Sequence, residues 1–215
     1  MDYLVLIILW TLWCTIHSGM ISLTVNRCLK NRSGSYYKYY RLFYNLVALI
    51  TIVPVILYSL SLKSPVLFRW QGYMIIFQIA LFIIVVALFI SGGLKYDLLQ
   101  FLGIKQIQSG ESQVTLSQSG DIDTSGILSF TRHPWYLAAI IFVWIVHREI
   151  SVSTLIVNIV LTIYLVIGTI LEEKKLIIEL GDQYRNYIER VSMLFPAKWI
   201  FAKLLKLNHT NSTNR

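Results

Sequence analysis

Thr131-Arg132-His133-Pro134-Trp135-Tyr136, an apolar run to Ile145, the turn Val146-His147-Arg148-Glu149-Ile150, a second apolar run from Val152 to Leu171, and then Glu172-Glu173-Lys174-Lys175: this stretch decides the fold. Its two apolar runs are bracketed by charge. The turn between them is too short to recross a membrane, so the runs are antiparallel neighbours in a helical hairpin. Arg132 and His133, at the start of the first run, then share one membrane surface with Glu172 and Glu173, at the end of the second. Pro134 suits the first turn of a helix and pushes His133 out of the helical region. The free backbone donors of that helix start form a natural anion site.

Beyond the acids, residues 176–191 place apolar or aromatic side chains at 177, 180, 184, 187, 188 and 191, with charged positions between them. That spacing predicts an amphipathic helix lying along the membrane surface.

Composition sets the class. The chain has 215 residues, of which 56% are hydrophobic and 14% charged. Its apolar runs exceed any helix of a soluble core, so it reads as a polytopic membrane protein. The net charge of +8 is scattered between apolar runs, which favours membrane orientation over nucleic-acid binding as its cause. The two cysteines, Cys14 and Cys28, imply neither a disulfide framework nor a zinc site, and no metal is expected.

Taken in order, Tyr3 to about Val25 is a first span that reads as a retained anchor, with His17 and Ser18 inside it. An ionisable group within a span usually faces protein or a cavity, so His17 either packs against a neighbouring helix or touches cofactor or substrate. Residues 26–41 mix Arg27, Lys30, Arg32, Lys38 and Arg41 with four tyrosines, a pattern suited to lipid headgroups. Leu42 to Leu62 and Gly72 to Ile90 are the second and third spans, the former carrying Pro54. Residues 95–126 form a long polar connection, either a lid or a plain surface loop. The expected fold is an all-α membrane protein of about five transmembrane helices with a C-terminal amphipathic interfacial helix. Residues 1–94 make a three-span region, 95–197 the core of loop, hairpin and amphipathic helix, and 198–215 a basic and polar tail.

Orientation follows from Lys and Arg. The segments 26–41, 91–133 and 172–215 hold 5, 3 and 8 of them, against 2 and 1 in the two opposite loops. A bias of 16 to 3 puts the N-terminus outside and the C-terminus and the charged site in the cytoplasm.

Arg-His-Pro-x-Tyr, a hydrophobic hairpin, Glu-Glu, then Leu180-Gly181-Asp182-Gln183-Tyr184-Arg185-x-Tyr187 and Phe195-Pro196 together resemble the isoprenylcysteine carboxyl methyltransferase-like family of integral membrane methyltransferases. The resemblance covers about residues 95–197. Tyr96-Asp97-Leu98, Leu102-Gly103-Ile104-Lys105-Gln106, His17-Ser18 and Arg190-Val191-Ser192-Met193-Leu194 are similar to its bacterial methanethiol S-methyltransferase branch. Trp135-Tyr136 looks more like the carboxyl methyltransferase branch.

The resemblance implies S-adenosyl-L-methionine as cofactor, which brings a sulfonium, an ammonium, a carboxylate, a ribose and an adenine. Such a ligand asks for acids, aromatic faces and anion donors. The expected cofactor-binding set is Arg132, His133, Pro134, Tyr136, Glu172, Glu173, Tyr184 and Tyr187, with either glutamate meeting the ammonium or the ribose hydroxyls. Arg185 is expected to pair with an acid or with an anionic substrate. The chain has no G-x-G, so the soluble Rossmann mode of holding this cofactor is excluded. The methyl acceptor is small or lipophilic. A thiol has a pKa of about 8.5, so a base is useful at neutral pH, and His17 is the expected one. A carboxylate acceptor needs none. The alternatives are a carboxyl methyltransferase acting on a lipophilic carboxylate and a non-catalytic membrane protein in which Arg132 and the glutamates form only an interhelical ion pair.

Overall fold

The computed structural model describes residues 1–95, 98–109 and 123–204. In chain order these form α1 (Asp2–Ile21), α2 (Leu23–Ser33), α3 (Tyr40–Ser61), β1 (Val66–Arg69), α4 (Met74–Gly93), α5 (Leu98–Leu102), α6 (Ile104–Ser109), α7 (Pro134–Ile145), β2 (Glu149–Ser151), α8 (Val152–Leu180) and α9 (Asp182–Arg190). Tight 3-10 turns at Gly34–Tyr39 and Gly126–Ser129 lead into α3 and towards α7.

Four helices, α1, α3, α4 and α8, are long and apolar enough to cross a membrane. The fifth apolar segment, α7, is helical for 12 residues. At about 1.5 Å per residue that is well short of a hydrocarbon core of about 30 Å. Pro134 explains its late start, because the residue before a proline is driven out of the helical region, and the polar turn after Ile145 stops it. The fold is the expected all-α membrane bundle, and among the described residues its apolar helices are four of spanning length and the shorter α7.

Two apolar contacts hold the bundle. Val85 and Leu88 of α4 pack on Ala138 and Ile145 of α7. Leu6 and Trp10 of α1 pack on Val55 of α3, with Ile156, Val157 and Val160 of α8 against them. The remaining faces of α3 and α4 display Leu49, Ile50, Leu57, Ile76, Phe77 and Ile83. In water such a surface would be an aggregation hazard; in lipid it needs no cover. Inside the bundle, polar side chains bond across helices, Trp10 Nε1 to Ser59 Oγ at 2.9 Å and Trp144 Nε1 to Thr162 Oγ1 at 3.0 Å.

The hairpin of α7 and α8 is antiparallel, as its short turn requires. At the turn end, β2 pairs antiparallel with β1, Phe68 opposite Ile150 and Arg69 opposite Glu149, and the Arg69–Glu149 ion pair measures 2.9 Å. This ribbon ties the two loops of that end together.

At the opposite end, α8 does not stop at Leu171. It runs on through Glu172 and Glu173 to Leu180, 29 residues in all. Gly181, at φ +57°, ends it in the left-handed region that glycine enters without strain. The amphipathic segment expected over 176–191 is therefore divided between the last turns of α8 and the separate helix α9. Its apolar face is also covered by protein: Tyr184, Tyr187 and Val191 close on Leu128 of the 3-10 turn, with Ile127, Leu176 and Leu180 beside them.

Candidate active site

The segment before α7 is held by the segment after α9. Thr131 bridges to Ser192 in parallel, Arg132 N donates to Ser192 O at 3.0 Å and His133 N to Met193 O at 3.2 Å. Thr131 Oγ1 donates to Met193 O at 3.1 Å. Two stretches about 60 residues apart thus fix one another. Pro134 follows as the first helical residue of α7, with His133 at φ −127° as its cap.

At this junction the antiparallel hairpin brings the expected charges together. Arg132 Nε donates to Glu173 Oε1 at 2.7 Å and its Nη2 lies 2.5 Å from the same oxygen. His133 Nε2 stands 3.2 Å from Oε1, and Tyr184 Oη donates to it at 3.5 Å. Four atoms from three side chains converge on one carboxylate oxygen, and among the described residues no contact is seen on Oε2. The Arg132 side chain is 5% exposed and that of Glu173 14%, so the pair is largely shielded from water. Burial, and next the charge of Glu173, push the Tyr184 phenol well above the ordinary tyrosine value, so Tyr184 remains a protonated donor.

Arg132 also serves α9. Its Nη1 donates to Ile188 O at 3.2 Å and to Val191 O. Lys198 Nζ adds bonds to Ile188 O at 2.7 Å and Glu189 O at 3.0 Å. Two cations cap the carbonyl end of α9, where the helix dipole favours positive charge.

The sequence-predicted residues are not all gathered here. Arg132, His133, Glu173 and Tyr184 form the cluster, and the Tyr136 ring sits edge-on to His133 with centroids 5.7 Å apart. Tyr187 turns the other way: its hydroxyl donates to Leu128 O at 2.6 Å and pins α9 to the 3-10 turn. Burial raises its phenol too. Arg185 lies on the outer side of α9, 66% exposed at the side chain and 3.7 Å from Asp182, away from Glu173 and His133. A depression on a different face of α9 is lined by Thr124, Ser129, Gln183, Asn186, Tyr187, Arg190 and Val191, and shares only Tyr187 with the predicted set. Tyr96 and Asp97, quoted for the resemblance, fall outside the described residues.

Glu172 faces elsewhere, towards the Tyr136 phenol and within electrostatic reach of Arg41. Tyr136 packs on Gly168, where an added Cβ would stand 3.3 Å from the ring, and it lies near Tyr44 and Tyr164. Those two tyrosines surround His17. Tyr44 Oη is 2.6 Å from His17 Nε2, the Trp13 ring stacks on the imidazole at 4.9 Å, and Tyr164 meets it edge-on at 6.3 Å. Ser18 Oγ donates to Tyr164 Oη at 3.3 Å. Tyr136 therefore stands between the two clusters, one around His17 and one around Glu173. Tyr44, Tyr164 and Lys198 were not singled out in the sequence. A tyrosine inside an apolar run was the one available signal for the first two. Among the described residues no group of three or more His, Cys, Asp or Glu could hold a metal ion.

Comparison with known proteins adds the following. The family model described as NnrU protein matches residues 5–203. Methanethiol S-methyltransferase of Pseudomonas deceptionensis is 38% identical over 78 residues, covering 36% of this chain and 29% of the relative. Methanethiol S-methyltransferase 1 of Bradyrhizobium diazoefficiens is 43% identical over 70 residues, covering 33% and 24%. That of Crocosphaera subtropica is 34% identical over 73 residues, covering 34% and 28%. The matched stretch spans under a third of the length of each of these relatives. No solved structure matches the chain.

Proposed function

The chain belongs to the NnrU family, and on that premise we propose that it is an integral membrane methyltransferase that uses S-adenosyl-L-methionine to S-methylate a small thiol such as methanethiol. The observation that carries this reading is the similarity to relatives bearing the name methanethiol S-methyltransferase. The donor set supports it. Two carboxylates, an imidazole, a proline-started helix and several phenols at one end of the bundle are chemically suited to a ligand with an ammonium, a carboxylate, hydroxyls and a sulfonium.

In this reading the start of α7 and His133 hold the carboxylate end of the cofactor. Glu172, or the outer oxygen of Glu173, meets its ammonium or ribose hydroxyls, and Tyr136 and Tyr184 wall the site. Arg132 is a positioning residue, its donors being engaged by Glu173 and by the carbonyls of α9. Tyr187 supports the wall from behind. The bound cofactor would supply an electrophilic methyl group. The protein's contributions are orientation, exclusion of water and a base for the acceptor, for which His17 is the candidate. Arg185 has no role towards a neutral thiol. The 16 to 3 distribution of Lys and Arg supports placing this end of the bundle in the cytoplasm, with the N-terminus outside.

The test uses the full chain in lipid nanodiscs with S-adenosylmethionine, offered a panel of small thiols and a farnesylcysteine analogue, with the products identified. Methylated thiol is expected. His17→Ala should slow it at neutral pH and recover as rising pH forms thiolate unaided, with cofactor affinity unchanged. Methylation of the carboxylate alone, with His17→Ala active at every pH, would replace this reading by the carboxyl methyltransferase one. Failure to bind S-adenosylmethionine would remove both.

A further inference from the structure

We propose that the helical residues 197–204 dock on an anionic lipid surface, with Ile200, Phe201 and Leu204 set into the headgroup boundary and Lys203 at the phosphates. This partner is independent of the reaction assigned above.

The apolar side of α9 is covered, since Tyr184 and Tyr187 close on Leu128 with Val191. The helix that follows keeps an apolar side uncovered. Successive helical residues turn by about 100°, which puts Ala197, Ile200, Phe201 and Leu204 on one side of it and Trp199 and Ala202 on the other, with Lys198 and Lys203 on the two flanks. The contacts agree. Trp199 faces the protein, its ring centroid 4.7 Å from that of Phe130, and Lys203 Nζ lies 4.9 Å from the Trp199 centroid. Phe201 and Leu204, on the far side, are 66% and 51% exposed, and Phe195 just before the helix is exposed as well. An uncovered apolar side with lysines on its flanks is the pattern of a helix lying in a membrane interface.

Its level in the bundle suits that place. Lys198 N donates to Ser192 Oγ at 3.0 Å, and the carbonyls of Ser192 and Met193 accept from Arg132 N and His133 N, directly before α7. Phe130, on which Trp199 packs, leads into the same segment. The helix is therefore fastened where the apolar helix α7 begins, at the height at which hydrocarbon gives way to headgroups.

Charge selects the lipid. From residue 191 to residue 215 the chain carries Lys198, Lys203, Lys206 and Arg215 and no aspartate or glutamate. Lys198 Nζ is engaged by the carbonyls of Ile188 and Glu189, so within the helix Lys203, exposed on the other flank, is the cation offered to a phosphate. A lysine stem lies along apolar surface while its ammonium reaches the headgroups, and anionic headgroups attract such basic segments over about a Debye length. Neutral headgroups leave only the apolar half of the contact.

The test uses the full chain, one per nanodisc, in a Cys28→Ser background. Leu204→Cys or Ala202→Cys carries an environment-sensitive fluorophore, and the parent without either cysteine corrects for the buried Cys14. In discs containing phosphatidylglycerol, the label at 204 is expected to emit to the blue of that at 202 and to be quenched severalfold less by aqueous acrylamide. In discs of phosphatidylcholine alone the difference should shrink, and Lys203→Glu should shrink it in phosphatidylglycerol discs too. Equal quenching at 202 and 204 with phosphatidylglycerol present would overturn the proposal. So would protection of 204 that is the same in both lipids and indifferent to Lys203→Glu, because the anionic headgroup would then have no part in it. Protection that appears only when two chains share a disc would assign the face to a second copy and overturn it likewise. No arm reads methyl transfer, so failure of the proposed reaction leaves the result standing.

Discussion

Replacing Arg132 by methionine should destabilise the protein through two losses that the structure separates. The first is electrostatic. Glu173, 14% exposed at its side chain, loses its main cation, held at 2.5 and 2.7 Å. Removing one member of a buried ion pair costs about 3–5 kcal/mol, because the other charge stays where water cannot reach it. The second concerns the end of α9. Ile188 O keeps the 2.7 Å bond from Lys198 Nζ, whereas Val191 O loses the Arg132 donor, adding at most about 1–3 kcal/mol for one unpaired carbonyl. At about 2–4 °C per kcal/mol for chains of this length, the electrostatic loss alone lowers the unfolding midpoint by about 6–20 °C. Introducing Glu173→Met as well should restore most of that loss, since an apolar pair carries no desolvation penalty, while cofactor binding is not restored. Thermal unfolding of nanodisc-embedded protein is the assay. A midpoint for Arg132→Met within about 2 °C of wild type, against that scaling, would refute the reasoning. So would a double variant less stable than the single one.

His133→Ala and Glu173→Gln should each weaken S-adenosylmethionine binding tenfold or more in calorimetric titration, the equivalent of about 1.5–3 kcal/mol for a charged hydrogen bond, whereas Arg148→Ala at the opposite end of the hairpin should leave it unchanged. Lys95 and Asp123 meet at 2.7 Å, and this bond holds the Asp123 carboxyl down at about 2 from its ordinary 3.8. Because its folded value is depressed, its stabilisation is present above about pH 4 and lost as pH falls towards 2, an acid-induced fall in the unfolding midpoint that Asp123→Asn should reduce. Gly92→Ala would put a Cβ 2.6 Å from the Trp135 ring, so overpacking of about 1–3 kcal/mol should outweigh the gain in helix propensity of about 1 kcal/mol and lower the midpoint. A cysteine at position 203 should be labelled by impermeant reagent only after the cells are opened, and labelling of intact cells would reverse the assigned orientation.

The hairpin and its charged end were legible because they follow from one fact, that five residues between two apolar runs leave no room for anything but an antiparallel return. That fact alone brought Arg132 and His133 to Glu173. Helix lengths were less legible. The charges at Glu172 and Glu173 looked like an end, but glutamate and lysine are good helix formers, and α8 continues until Gly181 supplies the left-handed turn. The ribbon at the turn end was not seen, because strands of four and three residues show no period against their apolar flanks. The pairing of Arg132 and His133 with Ser192 and Met193 uses backbone atoms, which carry no side-chain signature. The surroundings of His17 come from three helices, and periodicity describes only one helix at a time. Arg185 was named for its place in a charged motif, and its exposure on α9, 3.7 Å from Asp182, was not legible there.

Glu172 and Glu173 looked interchangeable in the sequence, and the fold gives them different work. Successive residues on a helix point about 100° apart, so neighbouring glutamates cannot serve one partner. Glu173 is met by Arg132, His133 and Tyr184, and its charge is balanced within the protein by a guanidinium that also caps α9. A cation arriving there gains little net attraction. Glu172 points to Tyr136, on the side of the tyrosines that surround His17, with Arg41 in reach but not in contact. On the proposed reading its carboxylate is the better ligand for an ammonium. Glu173 then acts mainly by holding the start of α7 against α9. Loss of Glu173 should therefore be felt in stability and binding together, and loss of Glu172 in binding alone.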